Sequence, residues 1–398
     1  MDITVYPGKL SGHVKAIPSK SQAHRLLICA AFADKPTRII CPSTNQDIEA
    51  TAGCLSALGA RITRTADGYH VIPVSVFPKK AVLNCFESGS TLRFMLPIAG
   101  ALGVDAVFLM SGRLPQRPLS PLWEEMERMG CILSRDENGS VLCRGKLTSG
   151  CYKISGSVSS QFITGLLFAM ALIKGRSCLE VTGKIESRPY IDMTCQALKL
   201  FGVSFDGFSL SGSYPFVSPG ELTVEGDWSN GAFFLAAEAL GSHVSVSGLL
   251  DGSFQGDKAV AQHLSALGNF TTIDGADIPD LIPILAVTAA AKKGAQFVNI
   301  GRLRLKESDR IASTAEMLKR LGASVEVAES SMCVLPAPFH SCVIDSQNDH
   351  RIAMSAAIAA TAADGPVTIL GAECVRKSYP DFWSEFRRVG GIYEQHVR

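Results

Sequence analysis

The sequence predicts an α/β (α+β) protein of two domains, each built from three repeated units with buried helices inside and sheets outside. Three observations support this prediction. A short phrase recurs six times, β-rich strings alternate with small-residue helical stretches, and the chain of 398 residues is longer than one ordinary domain. Six units divide naturally into two domains of three.

The recurrent phrase consists of the end of an amphipathic helix, a glycine and a short strand. Its copies are LSALGARI, MERMGCIL, LKLFGVSF, LSALGNFT, LKRLGASVEV and FRRVGGIY, with the glycines at Gly59, Gly130, Gly202, Gly268, Gly322 and Gly390. Glycine suits the left-handed residue that closes a helix. The copies lie about 54 to 72 residues apart, longer than the usual solenoid repeat. Each copy therefore predicts a compact unit of several strands and helices.

Strand and helix signals alternate between these phrases. The β-rich strings predict strands at 3–5, 38–41, 141–143, 178–181, 244–246, 296–300 and 367–370. Stretches rich in Ala, Gly and Ser predict helices at 21–33, 90–102, 159–172, 229–240, 278–291 and 348–362. Because these six stretches are small or apolar all round, we expect their helices to be buried.

The domain boundary is predicted near the middle of the chain, after a Gly/Ser/Pro-rich loop at 209–220. The first strand precedes the first buried helix and can pair with the C-terminal half. We therefore expect a discontinuous domain 1 at 1–17 plus 226–398, and domain 2 at 18–225. The hinge is expected near 17–18 and 225–226.

Composition excludes several classes of protein. With 46% hydrophobic residues, 19% charged residues and a net charge of +1, the chain is typical of a well-buried globular protein without a nucleic-acid-binding face. The 12 cysteines are scattered without metal-ligand spacing, so we expect buried reduced thiols, no metal and a cytoplasmic location. We expect no signal sequence at the N-terminus, and the apolar stretches are too short to span a membrane.

Polar residues cluster at the starts of the predicted buried helices. Ser, Asp and Asn there are ordinary N-caps. Lysine and arginine oppose the helix dipole, however, so capping does not explain Lys20, Arg25, Arg93 and Arg351. Further cations lie in RLRLKESDR, in VRKSYPDF and at Arg117. Since helix N-termini also bind anions, this pattern indicates a polyanionic small-molecule ligand. Phosphate-loop, dinucleotide, zinc-helix and nucleophile-elbow motifs are all missing from the sequence.

Nine segments carry a resemblance to a known family. In order they are SKSQAHR, ESGSTLRF, QRPLSPL, SSQFITGLL, ESRPYIDMT, IPDLIPILA, RLRLKESDR, NDHRIAM and RKSYPDF. Together they closely resemble the enolpyruvylshikimate-phosphate synthase family. The resemblance implies two domains of three βαβαββ units each, joined by a double-crossover hinge.

The resemblance also implies the activity. Enolpyruvyl transferases of this family move the carboxyvinyl group of phosphoenolpyruvate to the 5-hydroxyl of shikimate 3-phosphate. Phosphate is released through a tetrahedral intermediate, in the shikimate pathway to chorismate and the aromatic amino acids. The implied protein is a cytoplasmic monomer that closes its domains on these two substrates, with no cofactor, nucleic acid or membrane as partner.

Residue roles follow from matching motif positions. Asp280 resembles the general base, and Glu307 and Lys20 resemble candidates for proton exchange at the enol methylene. The shikimate 3-phosphate contacts are expected at Lys20, Ser21, Arg25, Ser159, Ser160, Gln161, Ser187, Tyr190, Asp280, Arg302 and Lys306. The phosphoenolpyruvate contacts are expected at Lys20, Gly89, Arg117, Gln161, Arg310, Arg351 and Lys377.

Some positions depart from the family pattern. Pro18 runs directly into Ser19 where the family loop often has an intervening glycine. Glu87 and Phe94 stand where many members have Asn and Pro, and Arg302 replaces an Asn that some members have. The nearest alternative is the sister transferase that acts on UDP-N-acetylglucosamine, but the loop before Arg117 lacks that enzyme's cysteine. An RNA-end-processing protein with related repeats and a non-catalytic binding protein are the remaining alternatives.

Overall fold

The computed structural model describes residues 1–396, which separate into two compact units. Unit 1 comprises Met1–Ile17 and Glu225–Arg398, and unit 2 comprises Pro18–Val224. Residues 397 and 398, at the end of the predicted domain 1, lie outside the described part. Glu225 belongs to unit 1, where its carboxylate accepts hydrogen bonds from Ser253 Oγ and Gln255 Nε2 at 2.9 and 3.0 Å.

Short runs of strands are separated by α-helices over the described residues. The strands are β1 Asp2–Tyr6, β2 Ser11–Lys15, β3 Thr37–Ile40, β4 Arg61–Thr65, β5 Gly68–Ile72, β6 Lys80–Asn84, β7 Asp105–Leu109, β8 Cys131–Arg135, β9 Val141–Gly145, β10 Cys151–Ser155, β11 Arg176–Thr182, β12 Phe205–Asp206, β13 Ser209–Ser211, β14 Glu221–Thr223, β15 His243–Ser247, β16 Thr271–Asp274, β17 Ala295–Val298, β18 Val325–Val327, β19 Met332–Val334, β20 Cys342–Asp345, β21 Val367–Leu370 and β22 Ile392–His396. The helices are α1 Lys20–Ala31, α2 Gln46–Ala57, α3 Gly89–Leu102, α4 Leu122–Arg128, α5 Ser160–Leu172, α6 Arg188–Leu200, α7 Trp228–Ala239, α8 Val260–Ala266, α9 Ile282–Ala291, α10 Arg310–Arg320, α11 His350–Ala360 and α12 Phe382–Arg388. All six helices predicted to be buried are present.

Unit 2 contains three four-stranded sheets, ordered β14-β3-β5-β4, β6-β7-β9-β8 and β10-β11-β13-β12. In the second and third sheets, two parallel strands are joined through a buried helix, and an antiparallel pair completes the sheet. This is the βαβαββ order, because parallel neighbours require a crossover whereas the last two strands form a hairpin. The predicted repeat is confirmed here.

Unit 1 repeats the pattern with one permutation. Its sheets are β16-β17-β19-β18, β20-β21-β1-β22 and the parallel pair β15-β2. Strand β1 pairs antiparallel with both β21 and β22, so the first strand of the chain completes the last repeat. The expected pairing of the first strand with the C-terminal half is therefore observed.

Each unit has its own apolar core made of these helices. In unit 2, α3 and α5 are almost wholly buried and pack against each other. Gly165 permits their close approach, because a Cβ there would lie 2.2 Å from the backbone oxygen of Arg93. This contact fixes where the first turns of both helices lie.

The repeat glycines behave as predicted at five of six positions. Gly59, Gly130, Gly202, Gly322 and Gly390 have φ values between 82° and 115°. The prediction is wrong at Gly268, which is not in the positive-φ region. There the turn after α8 continues through Asn269, whose amide donates to Ala266, and β16 begins only at Thr271.

The expectation that all cysteines are buried reduced thiols is also wrong. Cys151 and Cys178 face each other on the parallel strands β10 and β11 with their Cα atoms 4.7 Å apart, and they form a disulfide. Strand register, which the sequence pattern does not reveal, brings them together. The other ten cysteines are free, and Cys195, Cys333 and Cys342 among them are only partly buried.

Candidate active site

In unit 2, several of the predicted ligand residues lie where buried helices begin. Helices α1, α3 and α5 start at Lys20, Gly89 and Ser160. The preceding serines Ser19, Ser88 and Ser159 accept hydrogen bonds from first-turn amides and so act as N-caps. Ser159 was predicted as a ligand contact, and the structure gives its hydroxyl this capping role. Each start still presents further first-turn amides, a setting that favours anions.

A compact polar cluster joins the first turns of α3 and α5. Arg93 Nη1 donates to Gln161 Oε1 at 2.8 Å, and Gln161 Nε2 donates to Ser90 Oγ at 2.8 Å. A Cβ on Gly89 would lie 2.7 Å from Arg117 Nη1 and 2.9 Å from Arg93 Nη1. Glycine therefore lets two guanidinium groups approach this backbone as closely as they do. The structure brings together three predicted site residues, and it adds Arg93.

On α1, the lysine at the helix start forms an ion pair. Lys20 Nζ lies 2.9 Å from Asp47 Oδ2, and the two side chains are 15% and 14% exposed. Asp47 lies in the first turn of α2, and the sequence analysis did not select it.

Arg25 links α1 to α6 from a buried position. Its Nε donates to Thr194 Oγ1 at 2.9 Å, and its Nη1 and Nη2 donate to the backbone oxygens of Ser21 and Tyr190. Burial lowers the pKa of Arg25 to about 10. These bonds place Ser21 close to the start of α6, where Ser187 adopts a positive φ of 53°.

In unit 1, Asp280 lies in the turn before α9. It is not a helix cap, because Leu281 occupies the cap position. Its carboxylate meets Arg310 Nη1 at 2.8 Å, Arg351 Nη2 at 3.4 Å and Lys306 Nζ at 3.7 Å. Burial alone would raise the pKa of Asp280, but these three cations hold it well below its usual range, against a small opposing effect of Glu307.

Arg310 is the centre of an acidic cage. Its side chain is 1% exposed, and it donates to Asp349 Oδ2 at 2.9 Å, to Glu307 Oε2 at 2.6 Å and to Asp280. Asp349 is fully buried and accepts a further hydrogen bond from Ser308 Oγ at 3.0 Å. Its carboxylate also accepts a hydrogen bond from the backbone amide of Arg351 in the first turn of α11, and so caps that helix. One carboxylate thus fixes both the guanidinium and the helix start.

Two more predicted cations lie beside the start of α11. Arg351 Nη1 donates to the backbone oxygen of Ser229 at 2.9 Å, and its Nε is buried without a hydrogen-bond partner among residues 1–396. Lys377 Nζ donates to the backbone oxygen of Asn348 at 2.7 Å, where Asn348 has a φ of 54°. Both cations are at least nine-tenths buried.

Arg302 lies in the 3-10 helix Gly301–Leu305, and Lys306 directly follows that helix. Burial lowers the pKa of Lys306 to about 8, although Asp280 partly offsets that effect. Arg302 Nη2 donates to the backbone oxygen of Ala276 at 2.6 Å.

The predicted residues thus form two cationic groups, one in each unit. The sequence analysis missed Asp47 and Asp349 and left Arg93 unassigned. Arg93 could have been assigned, because it is a cation near the start of a predicted buried helix, a position that capping does not explain. The two acids resemble ordinary first-turn and capping residues, so only their contacts distinguish them.

Two further properties concern the described residues as a whole. Within residues 1–396 there is no cluster of three or more His, Cys, Asp or Glu side chains suited to hold a metal ion. None of the helices in that range combines the length and the hydropathy needed to cross a membrane.

The fold and the two cationic groups define a protein of the enolpyruvyl transferase class. The model of the family described as EPSP synthase (3-phosphoshikimate 1-carboxyvinyltransferase) matches residues 5–277 and 269–386. The chain belongs to the EPSP synthase family.

Individual relatives agree with this assignment. The chain is 37% identical over 429 residues to the 3-phosphoshikimate 1-carboxyvinyltransferase of Clostridium beijerinckii, with coverage of 99% of this chain and 98% of the relative. It is 38% identical over 420 residues to that of Clostridium kluyveri, with the same coverage.

Solved structures share the fold. EPSP synthase from Acinetobacter baumannii matches with a TM-score of 0.80 and 23% identity over 100% of both chains. The enolpyruvyl transferase NikO from Streptomyces tendae matches with a TM-score of 0.76 and 18% identity over 100% of this chain and 99% of that one. At these identities the likeness shows the fold alone.

Proposed function

We propose that this chain transfers the carboxyvinyl group of phosphoenolpyruvate to the 5-hydroxyl of shikimate 3-phosphate and releases phosphate. Membership of the family supports this activity over the alternative acceptor, UDP-N-acetylglucosamine. The observation that carries the proposal is the grouping of Arg310, Arg351 and Lys306 around Asp280, a carboxylate with cations on several sides.

Charge balance supports the same substrates. The two phosphates carry about −1.5 to −2 each at neutral pH, and two carboxylates bring the total to about −5 to −6. Seven cations are assigned to meet them: Lys20, Arg25, Arg117, Lys306, Arg310, Arg351 and Lys377. Most are largely buried, where a charge-assisted bond to an anion is strong.

The ligand assignments are those predicted from the motif positions. For shikimate 3-phosphate we propose contacts from Lys20, Ser21, Arg25, Ser159, Ser160, Gln161, Ser187, Tyr190, Asp280, Arg302 and Lys306. For phosphoenolpyruvate we propose contacts from Lys20, Gly89, Arg117, Gln161, Arg310, Arg351 and Lys377. Arg25 would contact shikimate 3-phosphate through those of its five guanidinium N–H groups that do not bond to Thr194, Ser21 and Tyr190.

Asp280 acts as the general base in this proposal. The 5-hydroxyl oxygen bonds to C2 of phosphoenolpyruvate while its proton passes to the Asp280 carboxylate. A carboxylate paired with three cations is a weak base. An arriving substrate anion offers Arg310 and Arg351 another partner, and it thereby raises the proton affinity of Asp280. Binding of the donor would thus activate the base.

The remaining proton transfers complete the reaction. C3 of the enol receives a proton as C2 is attacked, which gives a tetrahedral intermediate with a methyl group. Elimination then breaks the bond between C2 and the phosphate oxygen, and the methyl group loses a proton. Glu307 and Lys20 are the candidates for this exchange at C3.

A coupled phosphate-release assay with both substrates tests the function directly. Turnover should require shikimate 3-phosphate and should not be supported by UDP-N-acetylglucosamine. The opposite preference would establish the alternative activity. We also propose a cytoplasmic monomer, for which light scattering after size exclusion should give the mass of one 42.4 kDa chain.

A further inference from the structure

The ion pair between Lys20 and Asp47 calls for a physical explanation. Asp47 contributes a carboxylate to a group of residues proposed to bind anions, 2.9 Å from one of its cations. A negative charge close to an anionic ligand weakens binding through Coulomb repulsion. Its presence therefore needs a role that compensates for this cost.

Helix capping is not that role. The N-cap of α2 is Asn45, whose side chain accepts a hydrogen bond from the amide of Ile48 at 3.0 Å. The carboxylate of Asp47 is thus available to Lys20. Its first-turn position on α2 is favourable for an acid, but that position alone does not require contact with another helix.

The main chain of Asp47 is tied to a second helix of the proposed site. The hydroxyl of Thr91 lies 3.4 Å from the backbone oxygen of Asp47, and it lies 2.8 Å from Ser88 Oγ, the cap of α3. Asp47 is therefore fixed relative to the helix start that carries Gly89. Its side chain in turn holds the cation at the start of α1.

The chemistry of an ammonium group explains why such a holder is useful. Lysine is a point charge on a flexible stem that can adopt many rotamers, and it has three donors. The donor to Asp47 Oδ2, at 2.9 Å, fixes the direction of the group. Because Lys20 is proposed to contact both substrates, its direction bears on catalysis as well as on binding.

We propose that Asp47 is a positioning residue that holds the ammonium group of Lys20 in the orientation needed for turnover. This inference rests on the proposed function of Lys20. Asp47 itself does not contact the reacting atoms in this proposal.

Kinetics of matched variants test it. Asp47→Asn and Asp47→Ala should lower kcat by about 10- to 100-fold, the scale of misplacing a group by about 1 Å. Binding of shikimate 3-phosphate, measured calorimetrically, should change at most about threefold, because loss of the repulsive charge offsets loss of order. Glu49→Gln is the control, since Glu49 lies on the same helix but accepts hydrogen bonds from Thr44 and Tyr69.

A second measurement does not depend on turnover. At low pH and temperature, the Lys20 ammonium should give a lysine ¹⁵Nζ resonance protected from exchange by its ion pair, assigned by its loss in Lys20→Arg. That resonance should disappear in Asp47→Ala and persist in Glu49→Gln.

The outcomes separate the two proposals. A wild-type protein without turnover refutes the proposed function, and the resonance then still decides whether Asp47 holds Lys20. Turnover of Asp47→Asn within about twofold of wild type overturns the inference, as does an unchanged Lys20 resonance in Asp47→Ala. Tighter substrate binding in Asp47→Asn at unchanged kcat would show that the acid only opposes the ligand.

Discussion

Replacing Asp280 by Asn should change catalysis and anion binding in opposite directions. The amide keeps the size of the side chain but cannot take up the hydroxyl proton, so kcat should fall by about 10²- to 10⁴-fold. Binding of phosphoenolpyruvate or inorganic phosphate alone should become tighter. The reason is that Arg310 and Arg351 no longer have to exchange one carboxylate for the incoming anion.

The distances set the magnitude of the binding effect. Charges about 4 Å apart attract each other by about 4 kcal/mol at an effective dielectric constant of 20. In the protein, Asp280 lies 2.8 Å from Arg310 and 3.4 Å from Arg351. Recovery by the ligand of only a third of one such pair, about 1.4 kcal/mol, strengthens binding about tenfold.

Two assays measure these effects. Phosphate release with both substrates gives kcat, and calorimetric titration with phosphoenolpyruvate or phosphate gives Kd. Asp277→Asn is the matched control, because Asp277 lies in the same loop with its side chain exposed, and neither quantity should change more than slightly. Weaker anion binding together with near wild-type kcat in Asp280→Asn would refute both the base assignment and the exchange of partners.

Three further predictions concern other cations and their partners. Arg117→Leu should lower kcat/KM for phosphoenolpyruvate by about 10- to 150-fold, the equivalent of a charge-assisted contact of about 1.5–3 kcal/mol, whereas exposed Arg61→Leu should have no such effect. Because the pKa of Lys306 is lowered to about 8, its ammonium is charged below that pH and kcat/KM should fall as pH rises through about 8; Lys306→Arg, which keeps its charge, should move that limb of the pH profile upward. Asp349→Asn should lower the free energy of unfolding by about 3–5 kcal/mol in urea titrations, the usual cost of breaking a buried pair, whereas Glu316→Gln in an exposed pair should cost under about 0.5 kcal/mol. Equal effects of these last two changes would contradict the role given to Asp349.

Much of the architecture was predictable because it depends on local patterns. Helices that are small and apolar on every side, such as α5 and α9, can only be buried. Five of the six repeat glycines adopt a positive φ that other residues avoid. The six copies of this pattern predicted the repeat unit. The failure at Gly268 has the same local origin, since a longer turn there does not need a left-handed residue.

The sequence by itself determined the family and which cations belong to its motifs, because each motif can be recognised from consecutive residues and from its order along the chain. Tertiary structure alone decided which charges are paired. Asp349 reads as a helix cap and Asp47 as a first-turn acid, yet their carboxylates contact Arg310 and Lys20 from 39 and 27 residues away. The disulfide between Cys151 and Cys178 likewise depends on strand register. Interactions between charges depend on distance in space, and that distance is set by how helices and strands pack rather than by the separation of residues along the chain.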